Sequence, residues 1–427
     1  MKRKSSQSPE NEGEIIVALD VGTTKVCVIV AKVTEDNKVD IIGIGKSPSD
    51  GLHRGIVVNP KKTISSISKA IAEAELNSGI KIQSVSVGIA GHHIRCIQSS
   101  SIIGINNPDR IITEADITRL IETSKILKLP SDTKIIDVVP QEYIIDGKDG
   151  IFETPVDMYG TKLEAKVNII TGLVSSIDDL SKCVTACGIE IDDIVLEPIA
   201  SSYSVLNETQ KKVGVAMIDI GGGTTDIAIF KKGVLKYTAG VGIAGNLVTN
   251  DIVESLGISD EEAERIKREY GYAYLEEILN DDEIIMESLQ NDIPKKTRKS
   301  ILGRIIQARM QDIFELSMLE IRNSLIEKEL HAGVVVTGGG SLVKGTKELG
   351  EEILGTDVSL GIPKGLNGGL IKEVESPIYA TAVGLILYRL KTMNDIAYKL
   401  KHPGSKKRTK LNSKGIFSKI KEWFDEL

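Results

Sequence analysis

The sequence predicts an α/β protein in which two related domains face each other. Three observations carry that reading. An apolar strand, an aspartate, a glycine turn, two threonines and a second apolar strand are written twice, as ALDVGTTKVCVI from Ala18 and as MIDIGGGTTDIAIF from Met217. Stretches with strand and helix patterning alternate around both copies, as in layered α/β folds. A further apolar strand, Val334–Thr337, runs into Gly338, Gly339 and Gly340 and then into a helical stretch.

Taken in order, residues 14–30 read as two strands around a tight turn and 39–49 as a strand entering a loop. Ile64, Ile67, Ala70, Ile71 and Ala74 form one helical stripe, which Gly79 stops. Residues 84–91 alternate as a strand. From there to about 170, short strands mix with one helix near 114–127, a small α+β unit inserted into a larger domain. His92 and His93 are adjacent, so in a strand they point to opposite faces and make a poor metal pair. A helix then enters LEPIASSYSVL, and the second hairpin follows. Residues 259–311 are charged and helix-rich, with a break at Pro294, and YATAVGLILYRL is an apolar helix that closes the core.

A chain of 427 residues exceeds one ordinary core. At 41 % hydrophobic and 26 % charged, it reads as soluble and globular. It has no run of 18 apolar residues, and its polar start, MKRKSSQSPENEGE, is a leader rather than a secretory signal. The four cysteines, at 27, 96, 183 and 187, form no C-x-x-C pair and read as reduced thiols of a cytosolic protein. The net charge is −7; residues 401–427 hold eight Lys and Arg against three Asp and Glu, a net of +5, which leaves −12 for the body. An acidic body argues against nucleic acid as a partner and singles out the tail.

The duplicated hairpin has a chemical reason. Glycines in a turn let a ligand approach the backbone, and successive N–H groups there form an anion-binding nest. The Gly22, Thr23, Thr24 turn and the Gly221, Gly222, Gly223, Thr224, Thr225 turn therefore suit phosphates. Asp20 and Asp219 end their strands, where carboxylates hold a hydrated Mg²⁺ partly through its waters. Facing each other, the two turns would clamp a polyphosphate from both sides, whereas one copy alone would be an ordinary hairpin. Lys25 points either to the phosphates or, by strand alternation, to solvent. A P-loop is excluded, because GSLVKGT (residues 340–346) lacks the lysine after its second glycine. The triplet Gly338, Gly339 and Gly340, followed by Ser341, suits a flat nucleoside lying against the backbone.

These segments resemble the actin-like ATPase superfamily. ALDVGTTKV and MIDIGGGTTDIAIF look like its two phosphate segments, VVVTGGGSLVKGTKEL its adenosine segment, and LEPIASSYSVL and YATAVGLILY its connecting helices. Within the superfamily the chain resembles the bacterial cell-division FtsA family. SVSVGIAGHHIRCIQSSSIIGI looks like the start of that family's inserted subdomain, and EAERIKREYGYA like a nucleotide-side helix whose Glu264 and Lys267 touch the ribose.

The resemblance implies an actin-like two-domain ATPase fold of duplicated RNase H-like domains, with an inserted α+β subdomain and a C-terminal amphipathic helix. It implies a leader at 1–13 and a first core domain of 14–85, 166–205 and 370–392. The insert would be 86–165, the second core domain 206–245 and 331–369, and a helical nucleotide-side and partner-binding subdomain 246–330. A linker at 393–414 and a membrane helix at 415–427 would follow.

The cofactors implied are ATP and Mg²⁺, with weak or no ATPase activity. Glu197 occupies the place where chaperone relatives position the attacking water; a plain carboxylate at a helix N-terminus before Pro198 is the equal alternative. The implied partners are the C-terminal peptide of the tubulin-like FtsZ, further copies in a filament and other division proteins, at the cytoplasmic face of the septum. Lys295, Lys296, Arg298 and Arg304 are candidates for an acidic peptide, or simply a solvated face. Two alternatives of the same superfamily are a PilM-like pilus-assembly ATPase and a small-molecule kinase; no distinct motif for a kinase's catalytic aspartate is present.

The tail can be placed on a helical wheel. Ile416, Phe417, Ile420, Trp423, Phe424 and Leu427 fall within roughly 120° of one another, flanked by Lys419 and Lys421. An apolar aromatic face behind a basic linker is the pattern of a helix lying in an anionic membrane surface. Docking back onto the protein is the alternative.

Overall fold

The computed structural model describes residues 13–151, 154–288 and 294–401. The membrane-helix residues expected at 415–427, with most of the linker and the leader, lie outside them. The chain divides into a large compact unit ending at Arg389 and a second from Leu390, whose described part continues one long helix.

The first domain opens with β1 (Ile15–Val21), β2 (Lys25–Val33) and β3 (Val39–Pro48), an antiparallel meander. α1 (Pro60–Ser78) follows. Asn59 caps it by accepting the Lys62 N–H, Pro60 begins it, and Gly79 ends it at φ +71°. The helix presses onto β3 because Gly45 has no Cβ, which would stand 1.9 Å from the Ala70 carbonyl oxygen. β4 (Ser84–Ile89) then runs parallel to β1.

The chain leaves this sheet to build a separate one. β5 (Arg95–Gly104), α2 (Glu114–Ser124), β6 (Thr133–Ile145), β7 (Lys148–Ile151) and β8 (Lys162–Leu173) give the order β5-β8-β6-β7 with its own core, including Ile112, Leu120 and Leu163. A Thr113–Asp116 capping box starts α2. At His92 and His93 the chain turns, with the Ile94 N–H donating to the Gly91 carbonyl at 3.1 Å. After α3 (Val174–Thr185), β9 (Glu190–Leu196) returns beside β4 and completes the order β3-β2-β1-β4-β9, with a two-residue strand, Gly368–Gly369, beside β3.

α4 (Glu197–Val205) leads to the second domain. There β10 (Val215–Ile220), β11 (Thr225–Lys231) and β12 (Val234–Val241) form the meander, followed by α5 (Gly245–Leu256), α6 (Asp260–Tyr270) and α7 (Lys299–Asn323). β13 (Val334–Thr337), α8 (Thr346–Leu354) and β14 (Val358–Leu360) give the order β12-β11-β10-β13-β14, the first domain's order again. The charged region expected to be helix-rich also holds an antiparallel pair, Glu283–Met286 with Lys295–Arg298. α9 (Ala380–Lys401) is the long closing helix. The two sheets are thus an actin-like duplication with an insert. Each carries its own core, around Leu19, Val28 and Ile67 in one and Ile218, Ile306 and Phe314 in the other. Truncating the fully buried Phe314 to alanine would cost about 3–5 kcal/mol.

Candidate functional site

Each hairpin turn follows from its strands. Val21 pairs with Val26 and Ile220 with Thr225, leaving four residues in each turn. The Gly22 N–H donates to the Lys25 carbonyl at 3.0 Å and the Gly221 N–H to the Thr224 carbonyl at 2.9 Å. With the aspartates as anchors, Thr23 and Thr24 therefore match Gly222 and Gly223, Lys25 matches Thr224, and Cys27 matches Asp226. The two threonine pairs, which look equivalent in sequence, stand two positions out of step.

The turns meet face to face. A Cβ on Gly222 would lie 1.9 Å from Thr24 Oγ1, and one on Gly223 would lie 2.3 Å from Thr23 Oγ1. Behind the second turn, the N–H groups of Gly245 and Asn246 at the start of α5 donate to the Gly221 and Gly222 carbonyls at 3.0 and 2.8 Å. Thr24 Oγ1 donates to Asn246 Oδ1 at 3.2 Å. Thr225 faces away and donates to the Ile243 carbonyl.

Four carboxylates gather beneath. Asp20 and Asp226 are buried, and Asp219 and Glu197 partly so. Burial pushes Asp20 up against the pull of Lys25. Burial also pushes Asp219 up to about 6, with the Ser201 hydroxyl opposing, and Asp226 up to about 7, with Asp219 adding to it. Glu197 is held well above the usual carboxylate range by burial and then by Asp20, Asp226 and Asp219. Buried like charges at this density call for a cation or for protons. Among the described residues no three His, Cys, Asp or Glu side chains gather as direct metal ligands. Asp20 and Asp219, at the ends of their strands below the turns, are carboxylates of the kind that hold a hydrated Mg²⁺ partly through its waters.

The connecting helices close under this cluster. Ser201 Oγ donates to Asp219 Oδ2 at 2.9 Å and lies 3.0 Å from Thr381 Oγ1, which joins α4 to α9. Gly384 permits the crossing, since its Cβ would stand 2.0 Å from the Ala200 carbonyl oxygen. Glu197 opens α4 and sits against Gly88, so it belongs at once to a helix N-terminus and to the carboxylate cluster.

The other expected residues lie on several elements. Gly338, at φ +81°, brings its backbone against the Asp219 carboxylate; a Cβ there would be 2.3 Å from Oδ1. Gly339, Gly340 and Ser341 form a tight helical turn, with Ser341 Oγ donating to the Gly338 carbonyl at 2.7 Å. Lys267 and Glu264 pair at 2.5 Å. The Lys267 ammonium also donates to the Gly245 carbonyl and Thr249 Oγ1, so it braces the second turn from behind while Glu264 stays partly exposed. Lys25 donates to the Ile378 carbonyl at 2.8 Å and lies 4.3 Å from the Tyr379 ring centre. Among the basic candidates, Lys295 donates to the Leu256 and Gly257 carbonyls, and Lys296 and Arg298 pair with Glu283 and Asp281. Arg304 is exposed. Sequence reasoning missed Asp226, Ser201, Thr381 and Asn246. Asp226 stood inside the repeated motif, and pairing the strands from Asp219 would have found it.

Comparison with known proteins now decides the family. The family described as "Cell division protein FtsA" matches residues 216–384, and "SHS2 domain inserted in FTSA" matches 91–171, the stretch that builds the separate sheet. The cell division protein FtsA of Pseudomonas aeruginosa is 40 % identical over 411 residues, 96 % of this chain and 97 % of that protein. The chain belongs to the FtsA family of cell division proteins. FtsA of Bacillus subtilis is 36 % identical over 379 residues, covering 88 % of this chain and 84 % of that one. Among solved structures, a PilM–PilN type IV pilus biogenesis complex matches with TM-score 0.61 at 16 % identity, covering 88 % of this chain and 98 % of that one. MreB5 of Spiroplasma citri bound to ADP matches with TM-score 0.56 at 14 % identity, covering 90 % and 99 %. These two share the actin-like fold that the FtsA-family sequence adopts.

Proposed function

We propose that this FtsA-family protein binds ATP with Mg²⁺ between its two hairpin turns and polymerises on the cytoplasmic face of the cell membrane at the septum. There it anchors the FtsZ ring and recruits later division proteins. The observation that carries this reading is the face-to-face meeting of two matched glycine turns above buried carboxylates, in a chain of a cell-division family. Asp20 and Asp219 would hold the Mg²⁺ waters. Residues 22–25 and 221–225 would line the phosphates, and Gly338, Gly339, Gly340 and Ser341 the nucleoside, with Glu264 at its ribose. Lys267 would hold Glu264 in place.

Hydrolysis would be weak or absent, with Glu197, at the start of α4 beside the carboxylates, as the residue placed to position an attacking water. Nucleotide would then act chiefly as a clamp between the domains. Residues 246–330 would receive the FtsZ peptide, and 415–427 would lie in an anionic membrane surface. Trp423 is the chain's only tryptophan, so its fluorescence reports on the tail alone. Titration with anionic vesicles should shift it to the blue, more strongly with Mg-ATP, and deletion of 415–427 should abolish co-sedimentation of the protein with the same vesicles. A spectrum already blue in buffer and unmoved by vesicles would contradict the membrane role.

A further inference from the structure

The loop after β3 straps the first phosphate turn. It leaves β3 at Pro48, and the Ser49 N–H donates to the Thr24 carbonyl at 3.0 Å. It then crosses the turn as a small hairpin, Leu52–His53 with Ile56–Val57. At the hairpin's tip the Gly55 N–H donates to Thr23 Oγ1 at 3.3 Å. Gly55 lies at φ +78°, and a Cβ there would stand 3.0 Å from the Ala90 carbonyl oxygen, just beyond β4. The Val58 and Asn59 N–H groups return to the Gly51 carbonyl at 2.8 and 3.0 Å, and Lys62 pairs with Asp50 at 3.0 Å. The tip is thus fixed against the turn.

Arg54 is the other residue of that tip, left-handed at φ +49°. Its side chain crosses from the first domain to the second: a Cβ on Gly242 would meet its Cδ at 3.5 Å and its Nη1 at 3.9 Å. Gly242 follows β12, and the next carbonyl, that of Ile243, takes the Thr225 hydroxyl of the second turn. Arg54 is exposed, and its guanidinium has no hydrogen-bond or ion-pair partner among the described residues. Lys25 and Lys267, by contrast, are bonded to backbone carbonyls.

The strand order gives a bound nucleotide its direction. The second sheet runs β12-β11-β10-β13, so the glycine triplet after β13 and Gly242 after β12 stand on opposite sides of the β10–β11 turn. At about 4.8 Å per strand, the span between them is roughly 14 Å. A nucleotide with its nucleoside on Gly338–Ser341 and its phosphates along the turn ends at Gly242, where Arg54 lies. We propose that Arg54 is a specificity-determining residue that binds the terminal phosphate of a nucleoside triphosphate and so tells it from a diphosphate. This rests on nucleotide binding between the turns, as proposed above. A guanidinium is a permanently charged planar fork that takes two phosphate oxygens at once. Held by the first domain and laid on the second, it joins the two over the last phosphate, and loss of that phosphate removes the joint.

Calorimetric titration of the full chain with a non-hydrolysable ATP analogue and with ADP, both with Mg²⁺, tests this. Arg54→Met keeps an apolar stem on Gly242 and removes the charge. It should weaken the triphosphate about 30-fold and ADP by less than about threefold. Arg54→Lys keeps the charge without the fork and should weaken the triphosphate less, by about fivefold. Melting curves without nucleotide, expected to match wild type, show that each variant is folded. Equal losses for both nucleotides would make the tip a structural brace, and undiminished triphosphate binding in Arg54→Met would take Arg54 out of the site; either result overturns the proposal. A wild type that binds neither nucleotide overturns the nucleotide reading itself, a separate outcome.

Discussion

The two phosphate hairpins share strand pairing, turn hydrogen bond and leading aspartate, yet they are tied to different parts of the protein. In the first, Thr23 and Thr24 put side chains into the meeting face, and Lys25 reaches out to the Ile378 carbonyl and Tyr379 at the start of α9. In the second, Gly222 and Gly223 leave that face bare, and Asp226 accepts the hydroxyl of Thr224 within its own turn at 3.0 Å. Side chains from one turn fill the room that the other turn's glycines leave. A duplicated motif has thus been specialised by where its two copies differ, and a substitution at matching positions should have unequal effects.

The largest inequality is expected at that meeting face. Gly222→Val drives a branched side chain into Thr24 Oγ1 and should weaken Mg-ATP binding about 100-fold or more, whereas Thr23→Gly at the matching position should cost less than about tenfold. Titration with a fluorescent nucleotide measures both, and equal losses would break the comparison. Next in size is the brace behind the second turn. Lys267→Met removes the buried ammonium's bonds to the Gly245 carbonyl, Thr249 Oγ1 and the Glu264 carboxylate and should destabilise the fold by about 2 kcal/mol in urea, while Glu264→Gln should cost under about 1 kcal/mol.

A pH profile sharpens the contrast at the Cys27 and Asp226 positions. Asp226 rises from 3.8 to about 7, so the native protein holds a proton that the unfolded chain releases near pH 4. In chelator, wild-type stability should therefore fall as pH rises from about 4 to about 7, with the full loss above 7. Asp226→Asn should lose roughly 2 °C less in melting temperature over that window. A steeper fall in the variant would reverse the sign and refute the assignment. At the first hairpin, Lys25→Met removes one charged hydrogen bond and a ring contact at a partly exposed site and should cost about 1 kcal/mol of stability.

What the sequence made legible is what glycine and aspartate write locally. The hairpins, the Gly338 turn and the Asn59-to-Gly79 helix each announce themselves by residues whose backbone preferences leave few choices. Thr225 did not, because its facing direction depends on strand register, which only pairing fixes. Ser201 and Thr381 meet across 180 positions, and Gly172 returns beside His93. Such long-range meetings carry no local signature. The small Glu283–Met286 and Lys295–Arg298 pair was hidden for a related reason, since its charged residues match no apolar alternation.

The most direct measurement is calorimetric titration of the full-length protein with ATP, in Mg²⁺ and again in chelator, on wild type and Gly222→Val. One site per chain is predicted, weakened at least about tenfold by chelation because the carboxylates then face the phosphates without an ion, and lost in the variant. Binding of equal strength with and without Mg²⁺, and undiminished in Gly222→Val, would contradict a nucleotide held between the two turns.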